Sequence, residues 1–197
     1  MNKKAYDLVA KNYKNEHKGQ EYIEELEKFK FYLPENAIHV LDLGCGTADE
    51  TIWIGENLSG AQVTGIDLSS EMVKLPTLLP PNVHLQEADM LTFIPIEIVH
   101  GIWARASIHH LTKDQIFHLF KHIVSYLEVG GVIGMVNKYG KDVETEQKQK
   151  YGELLERYFQ YFDEKFVEEI AGQNNIQIVE QYVKENDHKW LVTFLSK

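Results

Sequence analysis

The sequence predicts an α/β protein: a doubly wound, mostly parallel sheet of about seven strands, with amino-terminal helices and an antiparallel carboxy-terminal hairpin. Three observations predict it. Short apolar runs recur along the chain, segments of helical period lie between them, and the last two strand-like runs are joined by a short polar turn.

Ahead of the first run, Asn2 to Lys18 and Gln20 to Tyr32 read as two helices separated near Gly19, the first with Tyr6, Ala10 and Tyr13 on one face. The runs Ile38 to Leu43, Gln62 to Ile66, Val83 to Leu85, Ile98 to Ala104 and Val132 to Val136 read as strands buried on both faces, the pattern of a parallel sheet. Between them, Thr47 to Leu58 and Thr112 to Leu127 carry apolar residues at helical spacing, and Thr112 followed by Gln115 forms a capping box. Alternating strands and helices imply right-handed crossovers and helices on both faces of the sheet. Asp142 to Gln173 reads as two more helices divided around Phe162 and Asp163. The runs Ile176 to Val183 and Lys189 to Leu195, joined by Lys184 to His188, form the hairpin.

No repeat or linker divides the chain, so 1–197 is expected to be one domain: a helical segment over 1–32, a core over 38–137, and helices and hairpin over 142–197. The 30 acidic against 20 basic side chains give a formal charge of -10, which disfavours a nucleic-acid partner. No apolar stretch approaches the roughly 20 residues of a bilayer span, so no membrane partner is expected. The single cysteine excludes an internal disulfide, and Met1-Asn2-Lys3-Lys4 has no apolar stretch behind it; both point to the cytoplasm. A monomer or a homodimer is expected.

The segment Val40-Leu41-Asp42-Leu43-Gly44-Cys45-Gly46-Thr47 puts two glycines where a buried strand turns into a helix. There the backbone can approach a ligand closely, and the helix start offers unpaired N–H groups. A dinucleotide fingerprint needs a third glycine where this chain has Asp49. Asp42 would also set a carboxylate beside a pyrophosphate, whereas the ammonium and sulfonium of S-adenosylmethionine match its charge. Asp67 ends the second strand, 23 positions past Gly44, where an acid accepts hydrogen bonds from ribose hydroxyls. Asp89 and Met90 end the third, where a carboxylate can meet an adenine amine and a thioether can pack on the ring. Three strand ends then face one crevice.

Together these residues resemble the class I S-adenosylmethionine-dependent methyltransferases of the small-molecule type. The likeness runs from Ile38 to Val136 and includes Gly101 to Leu111 and Leu127-Glu128-Val129-Gly130-Gly131, where Glu128 and Val129 replace the family's Lys and Pro. It implies that Gly44, Cys45 and Gly46 hold the amino-acid end of the cofactor, with Asp42 orienting the loop. It further implies that Asp67 and Leu68 hold the ribose, and Asp89 with Met90 the adenine. Cys45 itself reads as a small filler rather than a nucleophile.

His109 and His110 follow the fourth strand, where such proteins expose groups toward the transferred methyl, and either is a candidate general base of near-neutral pKa. Arg105, at the same strand end, is a candidate cofactor or substrate contact. Tyr13 is a candidate lid residue over the cofactor. The aromatic residues Tyr139, Tyr151, Tyr158, Tyr161 and Phe162 read first as core packing, with lining of an acceptor pocket as the alternative, and no histidine spacing specifies a metal. The family's Asn-Pro-Pro-Tyr or Asp-Pro-Pro-Tyr pattern, which marks amino-group methylation of nucleobases and glutamine, is absent, which favours a small-molecule acceptor. The alternatives are a nicotinamide-dependent oxidoreductase and an S-adenosylmethionine-binding interaction module without transfer activity.

Overall fold

The structure, a computed structural model, describes residues 3, 6–8, 10, 22–150, 153–186 and 188–197. Its centre is a seven-stranded sheet in the order β3-β2-β1-β4-β5-β9-β8. The strands are β1 (His39–Leu43), β2 (Gln62–Asp67), β3 (Val83–Glu87), β4 (Val99–Arg105), β5 (Leu127–Lys138), β8 (Gln177–Glu185) and β9 (Lys189–Ser196). β1 to β5 run parallel, while β9 pairs antiparallel with β5 and β8 with β9. The predicted mixed sheet with its terminal hairpin is therefore present.

Alternation along the strands builds a core on each face. Leu41, Leu43, Ile102, Ile133 and Met135 pack with α4 (Lys113–Tyr126) and α5 (Glu164–Asn174). Val40, Trp103, Val132, Val136 and Phe194 pack on the other side with Leu26 and Phe29 of α1 (Ile23–Tyr32) and Ile54 of α2 (Asp49–Asn57), and the short α3 (Ser70–Val73) follows β2. A Cβ on Gly101 or Gly134 would lie 2.9 Å or closer to Phe29, so bare backbone at these positions lets α1 lie against the sheet. The capping box on α4 forms as expected, with Thr112 accepting from the Gln115 N–H and the Gln115 side chain accepting in return.

The segment read as two helices over 142–173 corrects that expectation in its first half. Val143–Lys150 and Glu153–Gln160 are strands β6 and β7 of a separate antiparallel pair, and α5 follows. Glu, Gln and Lys are good helix formers. Here they are set across from partners instead: Glu146 opposes Arg157 and forms an ion pair with it, and Phe159 is buried against the turn after β4. The described residues near the amino terminus, Lys3, Tyr6 to Leu8 and Ala10, are helical. Among the described residues no helix is long and apolar enough to cross a membrane.

Candidate active site

β1 lies between β2 and β4, so the chain order reverses direction beside it, and the crevice of an open α/β sheet opens there. The loop leaving β1 folds back onto β2: the N–H groups of Gly44 and Cys45 donate to the Ile66 carbonyl at 2.8 and 2.9 Å. Gly44 has φ +73°, and a Cβ there would stand 2.4 Å from the Ser107 Cβ. Gly46, at φ +53°, has open space where its Cβ would be. The first glycine thus admits a close neighbour, and the second leaves room for a ligand.

A cavity of about 390 Å³ opens beside this loop, within the range of about 300–1,000 Å³ usual for small-molecule sites. Gly44, Cys45, Gly46, Asp67, Leu68 and the pair Asp89–Met90 all border it, as do Arg105 and His110. Two of the predicted site residues that the structure describes stand elsewhere. Asp42 is buried beneath the loop, accepting a hydrogen bond from Thr51 Oγ1 at 2.6 Å. Burial, reinforced by the nearby Glu50, raises its pKa to about 7, so it is a partly protonated brace rather than a full charge facing ligand. His109 is buried behind the cavity, between Phe159, His110 and Trp190, and burial drives its pKa well below the ordinary histidine value. Tyr13 lies outside the described residues.

Asp67 ties two loops together. Its Oδ2 accepts from the Gly46 N–H at 3.0 Å and its Oδ1 from the Ser69 N–H at 2.8 Å. Each carboxylate oxygen keeps a further lone pair for a ligand hydroxyl. Burial raises its pKa above the usual carboxylate value, against the pull of the two backbone donors. Asp89 is exposed and accepts from the Leu91 N–H at 2.9 Å, which aims it across the end of β3.

Arg105 forms an ion pair with Glu50 from the first turn of α2, and its guanidinium lies 4.5 Å from the Tyr22 ring centroid. Glu50 was not among the predicted site residues, although its place in the first turn of the helix after the glycine loop is the usable signal. His110 is held at both nitrogens, Nε2 2.7 Å from Tyr6 Oη and Nδ1 2.9 Å from the Tyr158 carbonyl oxygen. Burial lowers its pKa to about 4, so the expected near-neutral value is corrected: His110 is neutral through the physiological range.

The cavity is also bordered by residues that were not predicted as site residues, among them Lys3, Tyr6, Ser107 and Tyr158. Lys3 Nζ bonds to the Leu68 carbonyl and to Glu87, both at 2.6 Å, and Asp7 accepts from Ser69 Oγ at 2.6 Å. The amino-terminal helical residues therefore reach across from the β2 end to the β4 end. Ser107 Oγ is buried, with no hydrogen-bond partner among the described residues.

Residues 40–131 match the family described as "Methyltransferase domain". Trans-aconitate 2-methyltransferase of Escherichia coli is 34% identical over 101 residues, covering 51% of this chain and 39% of that protein. The chain thus spans about two fifths of the length of the curated relatives it matches. Among solved structures, an S-adenosylmethionine-dependent methyltransferase from Methanosarcina mazei has a TM-score of 0.72 at 17% identity, covering 85% of this chain and 95% of its own. The CcbJ methyltransferase from Streptomyces caelestis has a TM-score of 0.73 at 16% identity, covering 97% of each chain. A Burkholderia thailandensis 1,6-didemethyltoxoflavin-N1-methyltransferase, solved with S-adenosylhomocysteine bound, has a TM-score of 0.67 at 16% identity over 98% of this chain and 89% of its own. These likenesses bear on the fold; the match over 40–131 covers β1 to β4 and the loops that border the cavity. That segment, a little under half of the chain, is thus similar to the methyltransferase domain family.

Proposed function

We propose that the protein binds S-adenosylmethionine in this cavity and transfers its methyl group to a small-molecule acceptor. One observation carries the reading: the glycine loop after β1, Asp67 at the end of β2 and Asp89–Met90 at the end of β3 border a single cavity. The residues present fit the cofactor. The space over Gly46 admits an amino-acid moiety against backbone N–H groups, and Asp67 retains lone pairs for two ribose hydroxyls. Met90 offers a thioether and methyl to an adenine face, and Glu50 and Asp67 give this wall an acidic character suited to a cationic ligand.

When bound, the cofactor supplies a methyl carbon activated by a sulfonium leaving group. The protein's own part is to align the acceptor and exclude water. His110, neutral and hydrogen-bonded at both nitrogens, serves orientation better than proton abstraction. The Lys3, Tyr6 and Asp7 contacts draw the amino-terminal helical residues over the crevice and limit solvent entry.

A screen for methyl incorporation from labelled S-adenosylmethionine into fractionated metabolite extracts, with trans-aconitate as a separate arm, tests the reading. Label in a low-molecular-weight product supports it. Label only in protein or nucleic acid overturns the small-molecule assignment.

A further inference from the structure

The polarity of the hydrogen bonds around His110 fixes what the nearby end of the cavity can recognise. The Tyr158 carbonyl can only accept, so His110 Nδ1 carries the hydrogen, and neutral His110 presents a lone pair at Nε2. The Tyr6 O–H must then donate to Nε2 across 2.7 Å. Arg157 of β7 also hydrogen-bonds to Tyr6, and a guanidinium only donates. Tyr6 Oη has therefore spent its hydrogen on His110, so, beside the hydrogen it receives from Arg157, any bond it makes toward the cavity is one it accepts. Burial, with Arg157 and Lys138 nearby, keeps His110 from taking the proton that would reverse this order.

Ser107 Oγ stands on the same side of the cavity, buried and without a partner among the described residues. A buried hydroxyl left unmatched is costly, so a ligand atom that satisfies it gains affinity. Acids outnumber bases among the described charged residues bordering the cavity, with Glu50, Asp67 and Asp89 against Lys3 and Arg105. Both of those cations are already paired with glutamates. An anionic nucleophile would meet this wall without a hydrogen to give it.

We propose that Tyr6, Ser107 and His110 form the acceptor subsite, and that it selects a nucleophile bearing its own hydrogen, a hydroxyl or an amine, through a hydrogen bond to Tyr6 Oη. That bond turns a lone pair of the nucleophile toward the methyl group. On transfer the oxygen or nitrogen gains the methyl, the electron pair of the broken carbon–sulfur bond stays on sulfur, and the nucleophile's proton passes to water. Tyr6 touches the acceptor, while His110 and Arg157 act through it as positioning residues. The inference rests on the methyl-transfer reading, which cofactor affinity tests separately.

The experiment uses the full chain and its Tyr6→Phe and Ser107→Ala variants, with catechol, tyramine and tricarballylate as probes. Calorimetry reads S-adenosylhomocysteine affinity and probe affinity for that complex, a methyl-transfer assay reads kcat/KM, and ¹⁵N NMR reads the His110 tautomer. The expected result is binding and methylation of catechol or tyramine and not of tricarballylate. Tyr6→Phe should then cost about tenfold in probe affinity and kcat/KM, the worth of one hydrogen bond, with cofactor-product affinity held within about twofold. His110 should show the Nδ1–H tautomer. Methylation of tricarballylate alone, binding of none of the probes, an unaffected Tyr6→Phe variant or an Nε2–H tautomer would each overturn the subsite. Loss of S-adenosylhomocysteine binding in the wild-type chain would remove the methyl-transfer reading and the subsite with it.

Discussion

At the scale of single residues, the acids of this site divide by depth rather than by sequence distance from the loop. Asp42, two positions before Gly44, was the natural choice for a ligand contact, yet it is buried under the loop and hydrogen-bonded to Thr51. Asp67, far along the chain, borders the cavity and bridges the Gly46 and Ser69 N–H groups. Asp67→Ala should therefore weaken S-adenosylhomocysteine binding by at least about 1 kcal/mol, as loss of hydrogen bonds to a charged group does. Titration calorimetry checks it beside a circular dichroism control for folding; unchanged affinity in a folded variant removes the ribose assignment. The histidines predict acid sensitivity. His110 has a folded pKa of about 4, below its unfolded value near 6.5, so the unfolded chain binds the extra proton first as pH falls between them. Its stabilising contribution is full above about pH 6.5 and is lost toward pH 4. Asp42, raised to about 7, acts oppositely in that window, since the native chain keeps a proton that the unfolded chain has released. His110→Asn should thus reduce the fall in urea midpoint from pH 8 to pH 5, and an equal fall in both proteins would contradict the assignment.

At the scale of elements, legibility followed how much each segment depends on its own pattern. The central strands β1, β4 and β5 are buried over most of their length, so their apolar runs stand out, whereas the edge strand β3 buries only Val83; the ends of β1 to β4 were placed within two residues, and β5 starts at Leu127, five residues before the predicted Val132. Thr112 and Gln115 announce the start of α4 by local chemistry alone. The β6–β7 pair was misread because its outward residues are polar helix formers, and its order comes from pairs such as Glu146–Arg157 that only the register brings together. Tyr158 was legible as part of an aromatic stretch, for which core packing was preferred over pocket lining, and in the structure it borders the cavity. The pair closes on itself at its base, where the Gly140 N–H donates to the Phe162 carbonyl at 2.9 Å and the Phe162 N–H to the Lys138 carbonyl at 2.8 Å. Replacing residues 142–160 with a short glycine linker should accordingly leave a cooperatively folding protein that binds S-adenosylhomocysteine and transfers no methyl group. Loss of cooperative unfolding on a thermal melt would mean that the pair is part of the sheet's own stability.

At the scale of the whole molecule, the parallel sheet does one thing for function: it brings the carboxyl ends of β1 to β4 to one crevice, so residues far apart in sequence border one cavity. The cofactor wall was largely readable, because glycines and acids at strand ends have few other uses. Around the proposed acceptor subsite only His110 was named as a candidate site residue, because Tyr6, Ser107, His110 and Tyr158 come from three separate segments whose meeting depends on tertiary packing. The central claim is that this cavity is built for S-adenosylmethionine, and the most direct test is calorimetric titration of the purified chain with S-adenosylmethionine, S-adenosylhomocysteine and NAD in parallel. The account predicts saturable one-to-one binding of both sulfur ligands and none of NAD; binding of NAD with no response to either sulfur ligand would contradict it.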